Sequence, residues 1–328
     1  AVAEDAVELV EVDWDPRPPV VDLRTASEHP ERVHEGYDGN VVGRLAFRPP
    51  DETIFAGAAH VARETIAQQV RAYLARLLGI PEARVRVVMR DTGGGFGQKV
   101  NVTREEMAVA IAARKVPAAL KWIEDRRENL MTAGQARHEY GDARMAFAAD
   151  GTILAAHLDH VIDAGAYPIP WPVGTGAAAG MLFPGPYRVP AATFTSECRF
   201  TNTQGRTAYR GPWQYETVAR EMLLDLAARD LGIDPIELRR RNLLRADEMP
   251  FANPNGMTYD AVTPLETFEH ALAILDVDAF RAEQAAARAE GRLLGLGTAT
   301  YVEPTTSGMG NFATEGATIR IEPSGTVN

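Results

Sequence analysis

The 328-residue chain is poor in cysteine, in positive charge and in long apolar runs. Cys198 is its only cysteine, which excludes an intrachain disulfide and any cysteine-ligated zinc or iron–sulfur site built from this chain. The net charge of −11 argues against a nucleic acid or an anionic membrane surface as partner. No apolar run reaches the roughly 18 residues that a membrane-spanning helix needs, and the first ten residues carry three acids and no base, unlike a signal peptide. Together with the cysteine usage, these absences lead us to expect a cytoplasmic protein without a membrane span.

The most informative segment is the glycine-rich stretch 91–99, DTGGGFGQK. It follows the apolar run 85–89, which favours a strand, and it precedes a helix predicted over 103–114 that opens with a capping-box pattern. Glycines let the backbone approach a flat or anionic ligand and adopt positive φ angles. The N-terminus of the following helix would offer unpaired N–H groups on the same side. The pattern therefore indicates a cofactor cradle, with a tight turn that binds no ligand as the alternative.

Two common phosphate-binding motifs fail on spacing. In a phosphate loop Lys99 would need a glycine before it and a Ser or Thr after it, but Gln98 and Val100 stand there. A dinucleotide fingerprint that starts at Gly93 or Gly95 would end on Gln98 or Val100 instead of glycine. The spacing therefore argues against a nicotinamide-dependent dehydrogenase.

Two later motifs add to the glycine stretch. Thr207–Trp213, TAYRGPW, contains an A-[FY]-R-G sequence, and Ile233–Asn242 predicts a short helix behind it. In this order, the three motifs resemble the glycine–phenylalanine loop, the substrate loop and the following helix of one enzyme family. That family comprises the molybdenum-binding subunits of xanthine dehydrogenase, aldehyde oxidase and aerobic carbon monoxide dehydrogenase, and the resemblance runs along the whole chain.

The resemblance implies a mixed α/β (α+β) molybdenum-cofactor-binding domain, preceded by the tail of a small N-terminal α/β domain. We expect residues 1–22 to be the tail of this hammerhead-like domain and 23–50 to be a connector. Residues 51–290 would form the first cofactor-binding domain, and 291–328 would begin the second. The implied function is that of the large subunit of a molybdenum hydroxylase, which oxidises an N-heterocycle or an aldehyde with water as the oxygen source.

The resemblance also implies site residues. Gly94, Gly95, Phe96 and Gly97 would hold a molybdenum–molybdopterin cofactor, expected in its cytosine dinucleotide form, and no side chain of this chain would ligate the metal. Arg210 would lie beside the cofactor and orient the substrate or an oxo ligand through its guanidinium donors. Gly211 would border the same pocket; it stands where the carbon monoxide oxidisers carry a copper-bridging cysteine, so that reaction is disfavoured.

Partners follow from the same resemblance. Iron–sulfur clusters and FAD would reside on an iron–sulfur subunit and an FAD subunit, in a dimer of heterotrimers that acts on a small molecule. A family segment of several dozen residues is missing at Ile66–Ala67, where either the segment was deleted or the numbering closes over residues that are left out, and the general-base glutamate and second pterin motif would lie beyond Asn328. We therefore expect this chain alone to be inactive. The alternative is a non-catalytic fragment or scaffold subunit of the same fold that only binds partner subunits.

Periodicity predicts the remaining elements. We expect helices over 68–78, 215–231, 235–242, 264–275 and 277–290, a charged helix or turn over 124–136, and strands over 7–14, 118–123, 192–201, 294–301 and 317–322. A hairpin is predicted from 138–148 and 153–162 around Asp150-Gly151. In the helix over 215–231, the predicted inward residues are Val218, Met222, Leu223, Leu226 and Ala227.

The stretch 163–190 is rich in glycine, alanine and proline and is predicted to be a long structured loop that borders a substrate channel. Its candidate aromatic walls are Tyr167, Trp171 and Phe183. The histidines lack ligand spacing. His29, His34 and His60 are expected to be exposed in linkers or at strand ends, and His138, His157 and His160 to be structural.

Overall fold

The computed structural model describes residues 15–37, 39–47, 69–88, 93–99, 102–136, 138–168, 172–207, 211 and 214–303. The predicted strands over 7–14 and 317–322, the Ile66–Ala67 junction, Trp171 and Arg210 lie outside these ranges. Within them, the helices are α1 Gln69–Leu78, α2 Arg104–Ala112, α3 Arg126–Thr132, α4 Pro172–Leu182, α5 Gln214–Leu231, α6 Pro235–Asn242, α7 Pro264–Leu275 and α8 Val277–Ala289. The strands are β1 Val41–Phe47, β2 Glu139–Phe147, β3 Ile153–Asp163, β4 Ala192–Arg199, β5 Phe251–Ala252 and β6 Thr258–Tyr259.

Four of the strands form one sheet in the order β1-β4-β3-β2. The predicted hairpin is confirmed as β2 and β3, with Gly151 at φ +87° in its turn. β3 and β4 pair in parallel through the crossover helix α4, while β1 and β4 are antiparallel. Because β3 and β4 are parallel, their carboxyl ends lie at the same edge of the sheet. The mixed α/β class is thereby confirmed.

The core lies on one face of this sheet. Along β3 and β4 the buried positions alternate, as in Leu158, Ile162, Phe194 and Cys198, while the other face is largely polar. Helices α4, α5, α6 and α7 cover the buried face. The central cluster consists of Ile153, Ala156, Leu158, Phe183, Tyr187, Val189, Ala192, Phe194, Leu224, Ala228, Ile236, Leu238, Leu243, Phe268 and Leu272.

The prediction of one long loop over 163–190 is wrong, because 172–182 forms helix α4. Two of the glycines that suggested a loop serve close packing instead. A Cβ on Gly176 would collide with the Ser196 side chain, and one on Gly180 would collide with the Phe194 ring. The helix therefore approaches β4 more closely than larger residues would allow.

Helix α5 confirms the predicted bounds but not the predicted face. Leu223 and Ala227 pack against the core, whereas Val218, Met222 and Leu226 are exposed. The buried positions of α5 are instead Glu216, Arg220, Glu221, Leu224 and Ala228. The inward face is partly charged because these side chains pair with one another and with α6, which a hydrophobic pattern does not reveal.

Three predicted strands are not strands in the described residues. Residues 85–88, 118–123 and 294–301 pair with no neighbouring strand there, and the parallel strand–helix–strand unit of the described sheet is β3–α4–β4. Val88 and Ile123 are 63% and 72% exposed, so these apolar segments do not pack against a sheet. Without an adjacent strand, an apolar pattern alone does not form a hydrogen-bonded β-ladder. Among the described helices, none combines the length and the apolar content that crossing a membrane requires.

Helix α6 is fixed at both ends by polar side chains, of which the one at its end is buried. Asp234 caps its first turn by accepting hydrogen bonds from the backbone N–H groups of Ile236 and Glu237 at 2.8 and 3.2 Å. At its end, the buried Asn242 side chain accepts from the Ile153 N–H at 2.9 Å and donates to the carbonyl of Gly151 at 2.8 Å. Asn242 thereby joins the helix to the hairpin turn.

We expect Asn242→Ala to lower the free energy of unfolding by about 3 kcal/mol, because it leaves the buried Ile153 N–H and Gly151 carbonyl without partners. Urea denaturation measures the change. Asn129→Ala is the matched control, since the Asn129 amide bonds an exposed carboxylate, Glu124, at 2.8 Å; its expected effect is within about 0.5 kcal/mol. Equal losses for both variants would contradict this role of Asn242.

Cys198 lies on the buried face of β4, and its burial raises the pKa of the thiol to about 12. The thiolate is the reactive form, so we expect no iodoacetamide labelling of Cys198 in the native protein at about pH 8. Mass spectrometry of the Cys198 peptide, with the guanidinium-unfolded protein as positive control, makes the measurement. Stoichiometric labelling of the folded protein would show that the thiol is accessible.

Candidate functional site

The glycine stretch forms a tight turn with two glycines and one phenylalanine at positive φ. Gly94, Phe96 and Gly97 have φ of +114°, +49° and +71°. The Lys99 N–H donates to the Gly95 carbonyl at 3.0 Å and closes the turn. A left-handed phenylalanine costs about 1–2 kcal/mol, so the conformation is held by the surrounding turn. Such strain is concentrated at ligand-binding segments.

The surroundings of this turn suit a large flat ligand. Gly94 lies under the Phe96 ring, where an added Cβ would come within 2.9 Å of ring Cε2. Phe96 is 59% exposed, and at Gly95 an added Cβ would meet no atom within 4 Å. The turn therefore presents an aromatic ring and bare backbone beside open space. These features fit the backbone approach that a bulky cofactor needs.

Helix α2 starts five residues behind the turn, as predicted, and its first turn is capped. The Thr103 hydroxyl accepts from the Glu106 N–H at 3.3 Å, and the Glu106 carboxylate accepts from the Thr103 N–H at 2.7 Å. Arg104, the first helical residue, places its guanidinium 4.4 Å from the centroid of the Tyr167 ring. The helix that follows the glycine turn thus contacts the loop that follows β3.

Among the described residues, Tyr167 is the one predicted aromatic wall whose side chain is exposed and could contact a ligand. Its side chain is exposed and lies beside α2, whereas Phe183 is fully buried in the core and is not a wall. The ring of His34 packs edge-on against Tyr167 and Phe200, at centroid distances of 5.7 and 4.7 Å. His34 also contacts the carbonyl of Ala166. The prediction that His34 is a freely exposed linker histidine is therefore wrong.

A polar cluster that sequence reasoning missed occupies the carboxyl ends of β3 and β4. The buried Asp163 carboxylate accepts from the Gly165 N–H at 2.7 Å, from the Thr201 hydroxyl at 2.8 Å and from the Thr203 hydroxyl at 3.2 Å. The same carboxylate contacts His138 Nδ1 at 2.6 Å, and the His138 side chain is 56% exposed. His138 is therefore oriented by a buried carboxylate. The only sequence signal was its position at the start of a strand.

The predicted Arg210 loop leaves the same edge of the sheet after β4. Thr207 pairs with the segment before β2, where its N–H donates to the Gln135 carbonyl at 2.8 Å and its hydroxyl to the Gly134 carbonyl at 2.8 Å. Gly211 is described and has a φ of +63°, which favours glycine. Because Arg210 is outside the described residues, its approach to Phe96 stays a prediction.

Two further observations bear on the chemistry. Cys198, the single cysteine, is buried in the sheet and lies far from the glycine turn in sequence. Within the described ranges, His, Cys, Asp and Glu form no group of three or more that could hold a metal ion. The structure thus brings α2 to the Tyr167 loop, and it anchors the segment before Arg210 beside the same strands.

Comparison with known proteins identifies the domain. A family model described as the molybdopterin cofactor-binding domain matches residues 55–243. The chain is 33% identical to the nicotine 6-hydroxylase large subunit of Paenarthrobacter nicotinovorans, over all of this chain and 45% of that protein. It is 32% identical to the carbon monoxide dehydrogenase large chain of Hydrogenophaga pseudoflava, over 78% of this chain and 34% of that protein.

The fold agrees with a crystal structure of quinoline 2-oxidoreductase from Pseudomonas putida 86. The TM-score is 0.84 at 33% identity, and the match covers 99% of this chain and 47% of that one. The chain therefore spans about half the length of the relatives it matches. The alignment with nicotine 6-hydroxylase runs over 373 positions against 328 residues, so it contains gaps in this chain.

The glycine turn, the β3–α4–β4 unit and helices α5 and α6 all lie inside the matched region. The family match covers more than half of the chain, and the resemblance of the three sequence motifs points the same way. The chain belongs to the molybdopterin cofactor-binding domain family of molybdenum hydroxylase large subunits.

Proposed function

We propose that this chain is the cofactor-binding part of the large subunit of a molybdenum hydroxylase that oxidises an N-heterocycle, with an aldehyde as the second substrate class. The observation that carries the proposal is the strained turn Gly94–Gly97, with its exposed phenylalanine and the open space at Gly95. Two similar proteins, nicotine 6-hydroxylase and quinoline 2-oxidoreductase, are named for the oxidation of nitrogen heterocycles, which supports this substrate class.

The residues of the chain would bind the cofactor and orient the substrate. The backbone of Gly95 and Gly97 would lie against the pterin, with the Phe96 ring beside the metal. Arg104 adds a cation at the N-terminus of α2, where anionic groups of a cofactor are favoured. When bound, the molybdenum–pterin group supplies the centre that transfers water-derived oxygen to the substrate and accepts two electrons.

Arg210 and Gly211 would complete the pocket. A guanidinium presents five donors in a rigid fork and can orient a substrate nitrogen or oxygen in one geometry. Gly211 has no side chain and would leave room next to that fork. Tyr167 and His34 would form an aromatic border at the carboxyl ends of the parallel strands, where ligands bind in open α/β sheets.

The finer features of the assembly belong to the same proposal. We include the cytosine dinucleotide form of the cofactor, an iron–sulfur subunit and an FAD subunit as electron carriers, a dimer of heterotrimers, and a cytoplasmic location. Similar proteins are named as a large subunit, a large chain and a subunit of a complex, which supports a multi-subunit enzyme. The scaffold alternative shares this assembly but predicts no bound molybdenum.

The complete native protein that contains this chain should carry molybdenum in stoichiometric amount, measured by plasma mass spectrometry. It should oxidise quinoline or nicotine, with incorporation of heavy oxygen from labelled water into the product. Benzaldehyde serves as the probe for the second substrate class. Absence of both molybdenum and oxidation would overturn the enzyme assignment in favour of the scaffold.

A substitution in the turn separates cofactor binding from folding. In Gly95→Val the side chain would enter open space, so we expect the stability to change by no more than about 0.5 kcal/mol. The same side chain would occupy the position of the cofactor and weaken its binding. The molybdenum content should therefore fall about tenfold or more, because a loss of about 1.4 kcal/mol of binding free energy lowers the affinity tenfold.

The control is Gly36→Val, another glycine with no atom within 4 Å of an added Cβ. It should change neither molybdenum content nor stability. If Gly95→Val retained full molybdenum content, the pterin would not lie against this turn.

A further inference from the structure

The loop that carries Arg210 has its two ends fixed by one buried carboxylate. Arg206 lies just before the loop, and Tyr215 is the second residue of α5, just after the loop. Both connect to Glu139, at the start of β2, either directly or through His160. The inference below rests on the proposed function for the role of Arg210, but the anchoring itself is a property of the described residues.

The first anchor is an ion pair. Arg206 Nη2 donates to Glu139 Oε2 at 2.9 Å, and the two side chains are 8% and 4% exposed. Next to this pair, the Gln135 N–H donates to the Gly205 carbonyl at 3.1 Å and forms an isolated bridge between Gln135 and Arg206. The chain before the loop is thus fixed by both a buried charge pair and its backbone.

The second anchor passes through an imidazole. His160 Nε2 lies 3.1 Å from the same Oε2 atom of Glu139, and the His160 side chain is 1% exposed. The His160 ring stacks on the Tyr215 ring at a centroid distance of 4.6 Å and an interplanar angle of 16°. The Tyr215 hydroxyl donates to the Gly141 carbonyl at 2.9 Å, back on β2. The start of α5 is therefore held on the same strand as Glu139.

A single oxygen atom thus serves both ends of the loop. Because the carboxylate is nearly inaccessible to water, loss of its charge cannot be compensated by solvent, and a buried charged hydrogen bond is among the strongest that a protein makes. Glu139 is 67 residues from Arg206 in sequence, so no local constraint enforces the contact. A group that orients a substrate needs a rigid support, because a small misplacement lowers the rate strongly.

We propose that Glu139 is a positioning residue for the Arg210 loop, through Arg206 on one side and through His160 and Tyr215 on the other. Its carboxylate fixes where the loop leaves the sheet and where it enters α5. Because its side chain is only 4% exposed, it acts through these residues and is not itself a catalytic residue. The orientation of the substrate thereby depends on a buried ion pair outside the pocket.

The test is Glu139→Gln in the complete native protein. Glutamine has the same shape and keeps an acceptor oxygen, but it loses the charge, so the contact with Arg206 is no longer an ion pair. We expect hydrogen–deuterium exchange of the backbone amides in 207–214 to accelerate by about tenfold or more, because one charged hydrogen bond is lost. Exchange in β3 and β4 should stay unchanged.

A matched control and a second variant make the result specific. Glu248→Gln breaks another glutamate–arginine pair, with Arg188 at 2.7 Å, away from this loop, and should leave exchange in 207–214 unchanged. Arg206→Gln breaks the Glu139 pair from the loop side and should reproduce the acceleration. Unchanged exchange in 207–214 for both Glu139→Gln and Arg206→Gln would overturn the anchoring role.

Kinetics test the link to substrate orientation. With quinoline and nicotine as probes, Glu139→Gln should lower kcat/KM about tenfold while the molybdenum content per chain stays at the wild-type level. An unchanged kcat/KM combined with accelerated exchange would overturn the positioning of substrate and leave only a structural anchor. A wild-type protein without molybdenum or oxidation would overturn the proposed function alone, since the exchange measurement does not depend on it.

Discussion

A guanidinium with no access to water organises the described fold. The Arg220 side chain on α5 is fully buried and pairs with Glu216 and with Glu221, the latter at 3.3 Å. Its remaining donors reach the backbone carbonyls of Phe183 and Thr300, both at 3.1 Å, and of Leu182 at 3.3 Å. Burial alone would lower the pKa of Arg220, but the two carboxylates outweigh it and raise that pKa above its ordinary value. The end of α4, the start of α5 and the segment near Thr300 therefore meet at one cation.

The network extends to α6 and explains the unusual face of α5. Glu221 also pairs with Arg239 at 2.9 Å and accepts from the Tyr187 hydroxyl at 3.0 Å. Replacing such buried charges by apolar groups is often neutral, whereas removing one partner costs about 3–5 kcal/mol, so the network specifies an arrangement more than it adds stability. With Glu216, Arg220 and Glu221 inward, the apolar Val218, Met222 and Leu226 are left on the outer face.

Local chemistry predicted most elements, and long-range contacts account for most of the failures. The hairpin turn at Gly151, the capping box at Thr103 and the proline at the start of α6 were predictable because each acts within a few residues. Helix α4 was not predicted because its glycines are required by close contacts with Ser196 and Phe194, which lie on a later strand. At the site, the positive φ angles of Gly94 and Gly97 follow from residue type. The contacts of Asp163 with His138 and of Glu139 with Arg206 join residues 25 and 67 positions apart, which periodicity does not encode.

The parallel pairing of β3 and β4 separates strand residues, which the core constrains, from the loops that follow them, which tolerate substitution. Both strands bury alternate side chains along their whole length, so a change there disturbs the core. The segments that follow them emerge side by side and carry Tyr167 in one case and Gly211 in the other. Loops tolerate substitution and insertion far better than the elements they connect. Proteins that descend from one ancestral domain can therefore acquire new substrate specificities through substitutions in two neighbouring loops, while the sheet that carries these loops stays unchanged.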